Sequence, residues 1–145
     1  MTRFGFIIAF MAMSLASVPV RAQGVEPVGV WLTEAGDARV RVSKCSGGIC
    51  GVIVWLREPI DSSTGRPQVD DKNPNPALKT RPVIGLPLFS AMQPTAPNKW
   101  SGRIYNADDG GTYASSVSMA GSNSLRVEGC VGALCGGETW TRVGN

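Results

Sequence analysis

The sequence predicts an all-β fold: an eight-stranded up-and-down antiparallel barrel with one long ordered loop. Three observations carry that expectation. Beyond residue 23 no segment sustains the 3.6-residue apolar period of a helix. Short runs that alternate apolar and polar residues recur instead, and 18 glycines and 10 prolines break the chain between them. Most breaks are hairpin-sized, and closing such a meander into a barrel removes its free edges.

The first strand is Gly29-Val30-Trp31-Leu32-Thr33, ended by Glu34-Ala35-Gly36-Asp37. Residues 38–45 follow, where Val40 and Val42 alternate with Arg39, Arg41 and Ser43. Residues 50–56 are almost wholly apolar. Residues 86–92 are less regular because Pro87 suits an edge or an irregular segment. Residues 100–105 lead into the polar turn Asn106-Ala107-Asp108-Asp109-Gly110-Gly111, and then come 112–119, 124–130 and 135–143. The exception is 57–85, with five prolines among Asp, Asn and Ser. A connection of that length is functional or disordered, and its apolar anchors (Ile60, Val69, Leu78, Val83, Ile84) favour an ordered loop lying against the barrel.

The chain opens with Arg3, an apolar run from Phe4 to Val20, and Val20-Arg21-Ala22 before Gln23. This is the three-part pattern of a secretory signal peptide, and the run is short for a membrane span of ~20 residues. Residues 1–22 are therefore expected to be removed near Ala22. A single barrel domain, 23–145, would then work in the periplasm or outside the cell, not as an integral membrane protein. Arg3 and Arg21 account for two units of the formal +3 charge, so the exported part is nearly neutral. Its basic residues are scattered, which excludes a nucleic-acid footprint. The chain has no histidine, which removes Ser-His-Asp and Cys-His catalysis and His-bearing zinc sites.

The four cysteines stand in two near-copies, CSGGICG at 45–51 and CVGALCG at 130–136. Aligning 40–57 with 125–142 also matches Arg41 with Arg126, Val42 with Val127, Trp55 with Trp140 and Arg57 with Arg142. Each copy reads as strand, four-residue turn, strand. The flanking cysteines would sit opposite each other, within reach of disulfides Cys45–Cys50 and Cys130–Cys135. Two other pairings and a Cys₄ zinc site are the rivals; the oxidising compartment and the absence of a C-x-x-C pair favour structural staples. No cofactor or metal is expected.

Strict alternation then sends Val40, Val42, Leu125 and Val127 inward, and Ile53, Trp55 and Trp140 with them. It leaves Val52, Val54 and Leu56 outside, where the long loop could cover them through Val83, Ile84 or Leu78. That arrangement would hold Asp70–Asn75 at a barrel rim and display Asp70, Asp71 and Arg81 to solvent.

The ordered set GVWLTEAGDARVRVSKCSGGICGVIVWLREP, DDKNPNPALKTRPVIGLPLF, WSGRIYNADDGGTYASSVSM and LRVEGCVGALCGGETWTRV resembles the bacterial domain-of-unknown-function family 2147 over Gly29 to Val143. The resemblance implies an exported, calycin or lipocalin-like small barrel. Gly29-Val30-Trp31 resembles the lipocalin G-x-W signature, which implies that Trp31 closes one barrel end against a late arginine, here Arg142. One departure is visible: Asn73-Pro74-Asn75-Pro76 stands where the family usually reads NPDP. The resemblance brings no settled activity.

Candidate site residues follow. Asp71-Lys72-Asn73-Pro74-Asn75 spaces oxygen ligands like the start of a calcium loop. Pro76 and Pro82 stand where that loop needs Gly and Glu, so Asx turns explain it better. Asp108 and Asp109 form a hairpin turn, flanked by Tyr105 and Tyr113. Binding candidates are Asp70, Asp71, Asn73, Arg81, Trp55 and Trp140. The expected function is a non-enzymatic binding or envelope-associated structural module for a small apolar ligand or an envelope partner. The alternative is a hydrolase or lyase using Asp61, Asp70 or Asp71 with Arg81 or Lys79.

Overall fold

A computed structural model describes residues 25–145. The expected signal peptide lies outside the described residues. The strands are β1 (Gly29–Leu32), β2 (Ala38–Cys45), β3 (Gly48–Leu56), the short pair β4 (Ile60–Asp61) and β5 (Arg66–Pro67), β6 (Pro87–Ala96), β7 (Lys99–Asn106), β8 (Gly111–Gly121), β9 (Ser124–Val131) and β10 (Leu134–Gly144). Among the described residues eight of them close an antiparallel barrel in the order β1-β10-β9-β8-β7-β6-β3-β2. Each barrel strand pairs with its neighbours in sequence, and β1 meets β10 to seal the seam. The barrel is up-and-down, and all eight expected strands are present.

The inner face is built by alternation. Trp31, Val40, Val42, Ile49, Met92, Val117 and Leu125 are fully buried, and each such side chain contributes ~1.5–3 kcal/mol on burial. Gly51 faces Phe89 so closely that a Cβ would collide with the ring. No helix among the described residues is long and apolar enough to cross a membrane.

Both disulfides form as expected, Cys45–Cys50 and Cys130–Cys135. The four-residue turns do not. Each hairpin closes with two residues, Ser46-Gly47 and Gly132-Ala133. Left-handed φ angles at Ser46 (45°), Gly47 (76°) and Gly132 (58°) supply the geometry that tight hairpins need. The two turns are placed one residue apart in the repeat. Cys130 therefore lies directly opposite Cys135, with Cα atoms 4.1 Å apart. Cys45 instead opposes Gly48 while Cys50 opposes Ser43, a diagonal pair with Cα atoms 5.8 Å apart. The β2–β3 staple sits at one end of the barrel and the β9–β10 staple at the other.

The inward expectation fails at Trp55. A bulge sets Arg39 opposite Trp55 but Val40 opposite Ile53, leaving Val54 as the extra residue. Trp55 thereby joins Arg39 on the outer surface, with the guanidinium 4.5 Å over its ring. The same bulge turns Leu56 back inward, opposite Ala38 and against the core.

The loop 57–85 is ordered by its own backbone. Val83 N–H donates to Gln68 O, Asp70 N–H donates to Arg81 O, and Val69 bridges Pro82. A 3₁₀ turn, Pro76–Leu78, is capped by Asn75, whose side chain accepts from Ala77 N–H. Asn and Asp both cap in this way, so the departure from NPDP keeps the turn. The loop does not cover the outer wall. Ile84 is 44% exposed and Leu78 36% exposed, whereas Val83 and Leu86 enter the core. The loop leaves the end of β3 and folds across that end of the barrel.

Candidate functional site

The two barrel ends differ. At one end Trp31 is fully buried, its indole N–H donating to Pro27 O at 2.8 Å. Arg142 stacks on the ring at 4.3 Å and donates to Val28 O and Glu26 O, both at 2.6 Å, and to Ser122 O at 3.0 Å. The Trp–Arg pair expected from Gly29-Val30-Trp31 is formed, and it shuts this end.

The opposite end is open. A cavity of about 800 Å³ descends from the mouth between the loop 57–85, the β1–β2 turn and the β7–β8 turn. Ile53, Leu56, Val83, Ile104, Val127 and Trp140 give its apolar wall. Trp140, 3% exposed, lies inward as alternation requires. Gly129 and Gly136 pair on the inner face, and a Cβ on Gly136 would meet only open space. The volume lies within the ~300–1,000 Å³ of small-molecule sites.

One polar cluster holds the loop over the mouth. Asp70 is buried, contrary to its expected display at the surface, and Arg81 is only partly exposed beside it. Tyr105 Oη donates to the Asp70 carboxylate at 2.5 Å, Asn73 Nδ2 at 2.8 Å and Arg81 Nε at 2.8 Å. Arg81 also lies 5.6 Å over the Tyr105 ring. Burial alone would raise the Asp70 carboxyl, but hydrogen bonds from Tyr105, Asn73 and Arg81, with the charge of Arg81, outweigh it and hold the group below the usual carboxylate range. Burial and the adjacent carboxylate push the Tyr105 hydroxyl up. Every buried side-chain polar atom among the described residues has a partner. Asp70 is therefore satisfied, as a structural latch must be. Gly110, at the β7–β8 turn, has no room for a Cβ against the Lys72 carbonyl, so that turn is fitted to the loop.

Other candidates are placed apart. Asp71 is exposed and pairs with Lys72 at 3.6 Å on the cavity rim. Asp61 is held in its own turn, where Ser63 donates to it at 2.6 Å from its hydroxyl and 2.7 Å from its N–H. Lys79 ends the 3₁₀ turn in solvent. Trp55 lies outside the barrel, and Asp109 accepts from Tyr113 Oη at 2.7 Å. Among the described residues no three His, Cys, Asp or Glu side chains converge on a metal position.

Sequence reasoning missed Glu138. It stands opposite Val127 on the inner face, two residues from Trp140, and accepts the Trp140 indole N–H. The signal was available, since 136, 138 and 140 share one side of a strand.

Residues 29–142 match the family described as "Uncharacterized protein conserved in bacteria (DUF2147)". The chain belongs to the DUF2147 family. No functionally curated protein matches it. Among solved structures, this DUF2147 barrel is similar to protein HP1028 from the human pathogen Helicobacter pylori, described as belonging to the lipocalin family. Identity is 22%, the TM-score is 0.70, and the match covers 82% of this chain and 84% of that one. The likeness establishes a lipocalin-like fold for this DUF2147 chain, in agreement with the strand order and the Trp31–Arg142 closure.

Proposed function

We propose that this protein is a non-enzymatic carrier or receptor for a small molecule with an apolar body, held in the barrel mouth. The single observation that carries the reading is the cavity of about 800 Å³, open at one end and shut at the other by Trp31 and Arg142. Its wall joins apolar side chains to charged groups set mostly at the rim, an arrangement suited to a ligand with an apolar body. The loop 57–85, tied down through Asp70, forms part of that rim.

We further propose that the chain works outside the cytoplasm after cleavage before Gln23. The two disulfides support an oxidising compartment, and N-terminal sequencing of exported protein should begin at Gln23. A full-length chain recovered from the cytosol would contradict this.

Titration with the neutral fluorescent probe N-phenyl-1-naphthylamine tests the binding reading. The wild-type protein should bind one equivalent. Gly136→Phe, which places a ring in the open space beside that glycine, should abolish binding while leaving the far-ultraviolet spectrum unchanged. Probe binding of equal strength in both proteins would overturn the reading.

A further inference from the structure

The inner wall of the cavity carries a carboxylate. Strand β10 alternates Gly136, Glu138 and Trp140 toward the interior, opposite Gly129, Val127 and Leu125. Glu138 thus lines the same cavity as Ile53, Val127 and Trp140. One of its oxygens accepts the Trp140 indole N–H, which fixes the side chain against the wall. Glu138 makes no ion pair among the described residues. A partly exposed carboxylate with no ion-pair partner on a concave wall attracts a cation.

The charged lining as a whole is net negative. Asp37, Glu58, Asp71 and Asp108 join Glu138 around the cavity, against Arg57 and Lys72. This local excess of negative charge stands in a chain that is nearly neutral beyond residue 22. A concave site with low-dielectric walls concentrates such a field at its mouth. Aromatic groups of three residues, Tyr105, Tyr113 and Trp140, also line the cavity, and aromatic faces attract cations.

We propose that the ligand is a cationic amphiphile, an amine or quaternary ammonium on an apolar body, with Glu138 as the anion that recognises its head. This rests on the carrier reading and names the ligand class of the same site. Glu138 fixes polarity at one point on the wall; Ile53, Val127 and Trp140 take the apolar part.

The test compares three probes with the same ten-carbon chain on the purified exported protein, below their micelle concentrations: decyltrimethylammonium, decanol and decyl sulfate. Calorimetry should give the ammonium an affinity at least about tenfold above decanol, with the sulfate weakest. Glu138→Gln keeps an acceptor for the Trp140 indole, and it should reduce the ammonium preference about tenfold without changing decanol binding. An ammonium preference that also shrinks as salt is raised supports the proposal even if the Gln variant fails to fold. Equal binding of the three probes, tighter sulfate binding, or an unchanged preference in Glu138→Gln would overturn it while leaving the carrier reading intact. Failure of all three probes to bind would overturn both.

Discussion

Tyr105 on β7 donates its hydroxyl to the buried Asp70 carboxylate at 2.5 Å, across 35 positions of sequence, and so fastens the long loop to the barrel wall. Removing that hydroxyl should release the loop before it harms the barrel. A hydrogen bond to a charged group contributes ~1.5–3 kcal/mol, so Tyr105→Phe should weaken loop closure by about that much. Hydrogen exchange at the Asp70 and Val83 amides, which bond to Arg81 O and Gln68 O, should quicken in the variant. Amides of β8 and β9 should be unchanged.

The same carboxylate sets a pH limit. Its folded value lies below the usual one, because the hydrogen bonds and charge around it outweigh burial. A depressed carboxyl contributes stability that is present above its unfolded value, ~3.9, and is lost as pH falls through the lower folded value. The loop should therefore stay latched through mildly acidic pH and detach only at a pH below the ordinary carboxylate range. Loop amide resonances followed by NMR should show one acid transition. Asp70→Asn should lack it.

The two staples should fail differently. Each closes a six-residue ring, worth roughly 2 kcal/mol on the chain-entropy model, and peptide mapping without reduction should recover both. Replacing Cys130 and Cys135 by Ser loosens the hairpin at the open end, where Gly136 and Glu138 line the cavity, and should weaken probe binding. Replacing Cys45 and Cys50 acts at the closed end. It should lower the melting temperature by a similar amount and leave binding alone.

Arg142 joins three carbonyls and the Trp31 ring at the shut end. Arg142→Ala should cost about 2–4 kcal/mol in denaturant unfolding, the scale of losing several charge-assisted bonds that are not additive. Arg142→Lys should recover less than half, since a point charge cannot replace the planar fork.

Much of this molecule was legible in the sequence because hairpins advertise themselves. Short apolar or alternating runs between turn residues mark all eight barrel strands, the Pro87 run least clearly, and Cys-x₄-Cys marks both staples. The failures have one cause each. Alternation sends Trp55 inward because a bulge leaves no local signature; Val54 looks like any other strand valine. The turns are two residues long, not four, and the repeat in sequence is not a repeat in register. Val83 follows the wall of the mouth, not the outer face that strict alternation leaves bare. Local sequence places Asp70 in solvent because its partners Tyr105 and Arg81 lie 35 and 11 positions away, and only tertiary closure brings them together.

Native mass spectrometry of the protein purified from its own cells tests the central claim most directly. The wild-type chain should carry one non-covalent adduct of small-molecule mass, absent from Gly136→Phe prepared in the same way. A bare wild-type chain, or the same adduct on both proteins, would contradict the assignment of the cavity as a binding site.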